Sequence, residues 1–526
     1  MKNSVRNLFF VAVVLFSAAA CTELELDPKS QTNGAIVFED ESSYRSFIAR
    51  VYSGLAVTGQ QGPAGQGDIQ DIDEGFSNYW RQYWGAQQFP TDEAVIGWGD
   101  EGLPDFHDQD WTEANQFVTA LYNRVFFQVS LSNEFLRETT DAKLTERGVS
   151  DELKATIQTF RAEARFLRAL SYWHGLDLFG SIPFFTENDD IGVVAPDQAP
   201  KEQIFNFIES ELKEIESQLP DAGAGQYGRA DKGAAWALLA KLYLNATVYT
   251  GQDKNAECIT YCNQLISSNA YELDDQFEHL FQADNHTSPE IIFPIAFDGL
   301  RTQTWGGMTF LTHAPVGGSM DPGSYGIDGG WWGVRTTSAF VDQFPDETGD
   351  IDARGMFYTD GQTKEIASIS EFTNGYAYPK FVNVTSDGQQ GANATFPDTD
   401  FPMFRLADVY LTYAEAVVRG GSGGNRATAL GYVNAIRDRA YGNTDGRITD
   451  GDLNLDFLID ERSRELAWEA HRRTDLIRFG QLTDQGIWPW KGGVAEGKLT
   501  ESFRNLYPIP SSELLANPKL DQNTGY

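Results

Sequence analysis

Cysteine is scarce in this chain. Its 526 residues hold only 3, so no disulfide framework carries the fold. Positive charge is also short, with 40 Lys and Arg against 76 Asp and Glu for a formal charge of −36. That deficit argues against nucleic acid as a partner, because a phosphate backbone demands a cationic surface. It argues equally against a basic membrane-surface helix. Beyond residue 20 no apolar run approaches the length of a membrane span. No P-loop, dinucleotide fingerprint or serine nucleophile elbow is visible. Gly421-Ser422-Gly423-Gly424 is a glycine-rich turn without the Lys and Ser/Thr of a phosphate loop. What the chain has is apolar mass: 41% hydrophobic against 22% charged residues, enough for a large core. Aromatics reach 13%, including 12 Trp. Those rings must fill core or face a ligand.

The N-terminus reads as an address rather than as part of the fold. Lys2 and Arg6 precede the apolar run Leu8–Phe16, and Ser17-Ala18-Ala19-Ala20 are small. Residues 1–20 are therefore expected to be a secretory signal peptide. Cys21 follows directly, which resembles a bacterial lipobox, with Ala18 where that motif usually has Leu. Lipidation at Cys21 would anchor the protein by lipid rather than by a spanning helix. Cys258 and Cys262 lie four apart in a helical pattern. A bridge within one helix is geometrically awkward, so two buried free thiols are expected, and a zinc site lacks two further ligands nearby.

Along the chain, helix signals are dense over 112–176, with a helix over 152–176 ended by Gly180 and Pro183. A second amphipathic helix is predicted over 200–219. Residues 229–268 read as two helices broken at Gly251-Gln252-Asp253, with small residues at the contact, suggestive of a tetratricopeptide unit. Further helices are predicted at 404–419, 425–439 and 453–473. Between 300 and 400 there are 15 glycines and little apolar periodicity, which predicts long loops with short strands. Loops of that length usually carry function.

Several segments together carry a resemblance. Phe404-Arg405-Leu406-Ala407-Asp408-Val409-Tyr410-Leu411 leads into Tyr413-Ala414-Glu415-Ala416. Asn434-Ala435-Ile436-Arg437 and Glu461-Arg462-Ser463-Arg464-Glu465-Leu466 follow, then Asp475-Leu476-Ile477-Arg478-Phe479-Gly480 and Tyr507-Pro508-Ile509-Pro510. Earlier, Glu163-Ala164-Arg165-Phe166, Leu178-Phe179-Gly180-Ser181-Ile182-Pro183 and Thr91-Asp92-Glu93 fit the same pattern. In this order they resemble the SusD/RagB family of outer-membrane nutrient-binding lipoproteins. The resemblance implies a mainly α fold: a tetratricopeptide-like helical-repeat scaffold with long loop-rich insertions and a few short strands. It implies one integrated body, with a SusD-like N-terminal part over 21–298 and a RagB/SusD C-terminal part over 299–526. It also implies a cell-surface glycan binder, lipid-anchored in the outer membrane, that delivers oligosaccharides to a SusC-like TonB-dependent transporter. No catalytic residue, metal or cofactor is implied.

Motifs for other chemistry were weighed beside that. Glu461, Glu465 and Glu469 share one helix face, but the neighbouring arginines favour ion pairs over a metal. Asp346, Asp350 and Asp352 could group around calcium, although the spacing is not that of an EF-hand. A glycoside hydrolase is the alternative function, needing two carboxyls such as Asp92, Glu93 or Asp100. A binder of peptide or another nutrient is a third reading. Trp111, Trp173, Trp236 and Trp468 fall in helical patterns and are assigned to the scaffold. The other eight lie in loop-like sequence. Sugar rings stack a C–H face on an aromatic plane while their hydroxyls need polar partners. Two segments offer both. Trp80, Arg81, Tyr83, Trp84 and Trp98 form the first; Trp305, Tyr325, Trp331 and Trp332 form the second. These nine are the expected ligand residues. Arg81, Arg301 and Arg335 could supply a local basic patch.

Overall fold

The computed structural model describes residues 38–526, apart from 39, 61, 64–66, 71, 191 and 193. The signal segment and Cys21 lie outside the described residues. The principal elements are α1 (Glu41–Ala56), α2 (Tyr79–Gln88), β1 (Val95–Ile96), α3 (Gln116–Glu138), α4 (Asp151–Phe179), α5 (Lys201–Ile215), α6 (Lys232–Leu244) and α7 (Asn255–Ser267). They continue as β2 (Ile291–Ile295), α8 (Gly307–His313), β3 (Val334–Arg335), β4 (Phe401–Arg405), α9 (Leu406–Val418), α10 (Arg426–Tyr441), α11 (Leu455–Leu466) and α12 (Arg472–Arg478). The protein is thus mainly α, with a few short strands.

Local chemistry explains the helix ends. Ser150 caps α4 by accepting the Leu153 amide at 3.3 Å, and Asp151 and Glu152 lie in its first turn. Gly180, at φ 77°, closes it. Helices adjacent in sequence pack side by side: α3 on α4, α4 on α5, α6 on α7, and α9 on α10. The helix pair expected over 229–268 is present. Cys258 and Cys262 are buried free thiols on α7, as the spacing suggested. The loop-rich middle is also as expected. Among the described residues no helix is long and apolar enough to cross a membrane.

Two strand pairs join distant parts of the chain. β1 and β3 are antiparallel, with Val95 opposite Arg335 and Ile96 opposite Val334. β2 and β4 pair from Ile291–Arg405 to Ile295–Phe401, with irregular register around Phe293.

Three sequence readings need correction. Residues 79–88 are helical rather than loop. Asn78 caps α2, accepting the Arg81 amide at 3.0 Å, and all ten residues of α2 are buried. Its rings at 79, 80, 83 and 84 keep the i, i+4 spacing of a helix, which the loop reading passed over. The helix expected over 453–473 stops at Leu466; Trp468 and Ala470 occupy left-handed turns at φ 60° and 63° before α12 begins. Trp111 precedes α3 instead of lying within a helix, and its indole donates to the Tyr526 hydroxyl at 2.7 Å. Trp111, Trp173 and Trp468 are nonetheless core residues, and Trp236 is half-buried.

The interior holds a dense set of ion pairs around α11. Arg405 reaches Glu469 (2.6 Å), Glu465 (2.6 Å) and Glu290 (2.9 Å). Arg354 binds Asp352 (2.7 Å), Glu461 (2.8 Å) and Glu465 (3.2 Å). Arg437 and Arg439 join from α10, and Lys380 meets Glu469 at 2.7 Å. Glu461 and Glu465 on α11 and Glu469 in the turn after it, rather than three glutamates on one helix face, thus hold arginine and lysine. Asp352 faces inward to Arg354, while Asp346 accepts the Thr348, Asp350 and Ile351 amides of a turn. Asp346 and Asp350 both meet the Thr348 hydroxyl at 2.7 Å, but Asp352 is turned away from them, so the three do not converge.

Burial alone would raise the Glu465 carboxyl, but Arg439, Arg405 and Arg354 outweigh it and bring it down to about 2. Glu461, Glu469, Glu415 and Asp475 are lowered in the same way. Carboxyls lowered on folding contribute stability above their unfolded values near ~4, and that stability disappears as pH falls through the folded ones. Thermal melts should therefore drop steeply below pH ~4 as these groups protonate. Arg405→Met should destabilise by about 3–5 kcal/mol, since it strands buried carboxylates. Denaturant melts at pH 7 and pH 3 would check both; an Arg405→Met chain as stable as the parent at pH 7 refutes the role given to this network.

Candidate functional site

The site grows from the β1–β3 pairing. The segment after β1 carries Trp98, and the segment before β3 carries Trp331 and Trp332. The Gly97 amide donates to the Gly333 carbonyl at 2.9 Å, extending the ladder. The turn 329–333 docks on the end of α8: the amides of Trp331, Trp332 and Gly333 donate to His313, Val316 and Ala314 carbonyls at 2.8–3.0 Å. The Trp98 indole then donates to the Trp331 carbonyl at 3.2 Å.

This brings three tryptophans into a row. Trp331 lies between Trp98 (6.3 Å between ring centroids, planes at 43°) and Trp305 (6.4 Å, 45°). The result is a stepped platform whose plane turns at each ring. Phe396 backs Trp305 at 5.1 Å, and His313 lies against Trp331 at 4.9 Å. Trp305 is 38% exposed, and Trp98 and Trp331 are half-buried. Glu74 ties the Trp305 loop down, accepting the Trp305 amide at 3.2 Å and the Thr304 hydroxyl at 3.0 Å.

Polar groups surround the rings. The Arg81 guanidinium lies under the platform, 4.4 Å from the Phe310 ring and 5.7 Å from Trp98. Burial brings Arg81 down to about 9, against the pull of Asp73, Asp100 and Glu74, so it stays charged at neutral pH. His313 donates from Nδ1 to the Thr309 carbonyl at 2.8 Å, with Nε2 3.5 Å from Asp328. Burial holds this imidazole below its ordinary value, so it meets Trp331 as a neutral ring. Exposed Asp328 accepts the Thr395 hydroxyl and keeps lone pairs open beside the platform.

The nine residues expected from sequence divide into groups. Trp98, Trp305 and Trp331 come together, with Arg81 beneath them. Trp80, Tyr83 and Trp84 do not join them and are corrected to core: each is at most 1% exposed. Trp80 packs 4.3 Å from Phe401, Tyr83 stacks on His174 at 3.9 Å, and the Trp84 indole donates to the Trp468 carbonyl at 2.7 Å. No ligand can reach rings so enclosed. Trp332 is 54% exposed and turns the other way, against Phe372 at 5.9 Å. Its φ of 56° is a left-handed conformation that costs a bulky residue on the order of 1–3 kcal/mol. Tyr325 belongs to a separate cleft. Arg335 is buried and bound to the carbonyls of Asn374, Gly333 and Ile369, whereas Arg301 is exposed and pairs with Asp298.

The carboxyls weighed for hydrolysis are differently placed. Asp92 is bidentate to Arg472 at 2.7 and 2.5 Å. Glu93 accepts the Ser463 hydroxyl at 2.9 Å and the Trp468 amide at 3.2 Å. Burial pushes Glu93 up to about 7, with Arg472 pulling it back. A carboxyl near 7 can mark a general acid, but this one is bonded inside the scaffold. His313, Phe396 and Phe310 are members that sequence reading missed. Closeness to Trp305 in the chain hinted at Phe310 and His313, whereas nothing in the sequence pointed to Phe396.

Comparison with known proteins followed from this geometry. Residues 350–526 match the profile described as SusD family, and residues 68–244 match one described as "Starch-binding associating with outer membrane". The chain is 33% identical to the starch-binding protein SusD of Bacteroides thetaiotaomicron, covering 99% of each. It is 24% identical to SusD-like protein P25 of Formosa agariphila, again over 99% of each. Among solved structures, a SusD superfamily protein from Bacteroides vulgatus superposes with a TM-score of 0.71 at 20% identity, covering 93% of this chain and 100% of that one. Surface glycan-binding protein A from B. thetaiotaomicron, solved with laminarihexaose, gives 0.69 at 19%, covering 92% and 99%.

A Cβ on Gly333 would stand 2.6 Å from the Trp98 ring. Gly333→Ala should therefore displace Trp98, shifting tryptophan fluorescence and near-ultraviolet circular dichroism at a cost of about 1–3 kcal/mol. Spectra identical to the parent would contradict the packing of Trp98 described above.

Proposed function

The chain belongs to the SusD family, and from that premise we propose that it is a cell-surface glycan-binding lipoprotein of the outer membrane. It captures oligosaccharides and passes them, without chemistry, to a SusC-like TonB-dependent transporter. The observation that carries the reading is the Trp98–Trp331–Trp305 platform, which is accessible and flanked by polar groups. Stacked rings desolvate the C–H faces of successive sugars, and Asp328 supplies lone pairs to their hydroxyls. The stepped planes suit a chain that turns as it runs, more than a flat ribbon. The 33% identity to a protein named for starch binding supports an α-glucan as first ligand. The lipid anchor at Cys21 rests on the sequence alone.

The hydrolase alternative loses support because Asp92 and Glu93 are committed to Arg472, Ser463 and Trp468. Affinity electrophoresis in soluble starch, with laminarin beside it, tests the reading. Trp98→Ala and Trp331→Ala should each weaken retention about 10-fold, near the upper end for one aromatic contact. Trp305→Ala should weaken it less, because that ring ends the row. Trp80→Phe should leave retention unchanged in whatever fraction folds. Unaltered retention in all three platform variants would refute the assignment, and release of new reducing ends would refute binding without chemistry.

A further inference from the structure

Tyr325 opens a second question, because it lies outside the platform in a cleft of its own. The cleft has a volume of about 330 Å³ and is walled by Tyr325, Tyr358, Ser324, Glu278, Gln282 and Met356. That is the lower end of the range for small-molecule sites. It draws on four separated segments, 278–282, 324–325, 356–358 and 379–382, whose mutual position is fixed from below. The Asn383 amide donates to the Tyr325 carbonyl at 2.9 Å, the Tyr358 amide donates to the Ala377 carbonyl at 2.9 Å, and the Val382 amide donates to the Phe281 carbonyl at 3.0 Å. Val316, Met320, Ile327, Phe372 and Ala377 form a small separate core on which Tyr325 and Tyr358 rest.

Some polar groups of this cleft are already used: the Tyr358 hydroxyl pairs with the Ser319 hydroxyl at 3.0 Å, and the Ser324 hydroxyl donates to Asp321 at 3.3 Å. Among the described residues, the Tyr325 hydroxyl, the Glu278 carboxylate and the Gln282 amide make no side-chain hydrogen bond or ion pair, although all three are half-buried. Lys380 also reaches the wall, but its ammonium is held inside by Glu469 and the Ala467 carbonyl, both at 2.7 Å. Burial, with Tyr358 and Asp321 adding to it, raises Tyr325 to about 12, so its hydroxyl stays a donor as well as an acceptor. Two phenol rings, one free phenol hydroxyl, one carboxylate without a cation and one amide are groups that suit a neutral sugar. The unpaired carboxylate repels uronic or sulfated residues. We infer that the Tyr325–Tyr358 cleft is a second, independent saccharide site, taking a neutral mono- to trisaccharide segment, with Tyr325 as stacking surface and Glu278 as hydroxyl acceptor.

This rests on the glycan-binding reading, and the test separates the two. Maltotriose and a panel of neutral trisaccharides are titrated by calorimetry and saturation-transfer NMR. The proteins are the parent, Trp98→Ala/Trp331→Ala, Tyr325→Ala and Glu278→Gln, each checked by thermal melt. The parent should show two sites for at least one saccharide. Tyr325→Ala should reduce the stoichiometry to one, and Glu278→Gln should weaken one site several-fold without moving the melt. The platform double variant should keep the Tyr325-dependent site. One site in the parent that neither cleft substitution alters overturns the cleft and leaves the platform standing. Two sites that both survive Tyr325→Ala overturn it as well. A parent that binds no saccharide overturns both readings.

Discussion

The interaction on which this structure depends is the grip of buried arginines on α11 and the turn that follows it. Arg405 comes from β4, Arg354 from the glycine-rich middle, and Arg437 and Arg439 from α10. Each converges on Glu461, Glu465 or Glu469. Ion pairs so deep contribute little net stability compared with apolar packing, because both partners lose their water. What they impose is geometry. A carboxylate shared by two or three guanidinium groups fixes where β4, α10 and the loops must lie, since any other arrangement leaves a buried charge alone. The same ladder extends to the N-terminal half through Asp92–Arg472 and Glu93–Ser463.

That extension is what positions the platform. Thr91-Asp92-Glu93 lies immediately before β1, and Trp98 two residues after it. With Asp92 and Glu93 fastened to 463–472, β1 has one place to go. β3 pairs with it, and the Thr337 hydroxyl also reaches the Asp92 carbonyl. Trp98 and Trp331 therefore meet because charges far from any ligand leave them no alternative. Trp98 and Trp331 also pack against the main core, and Trp305 is the more exposed end of the row. This division of labour frees the loops to differ in sequence while the ladder stays fixed.

Much of the fold was legible because its helices are punctuated. Gly180, Pro183 and Gly251 act through local chemistry that a sequence displays. The ion pairs were legible as a pattern too, from three glutamates at four-residue spacing among arginines. The site was legible only in part. Trp98, Trp305 and Trp331 stood out as aromatics in loop-like sequence. Trp80 and Trp84 looked the same by that criterion, but α2 is buried all round. Whether a tryptophan faces ligand or core is decided by tertiary neighbours such as Phe401 and Trp468, which lie more than 300 residues away in the chain. The left-handed turn at Trp468 was invisible for a similar reason, since it is held by Glu93.

The β1–β3 pair is only two residues long on each side, yet it spans some 240 residues of chain. So short a ladder cannot form early, because closing so long a loop is entropically costly and two rungs offer little in return. It closes only after both halves have condensed around the ladder of charges. Until then the three tryptophans belong to unconnected loops and present no common surface. The row of tryptophans thus exists only in a chain whose two halves have come together.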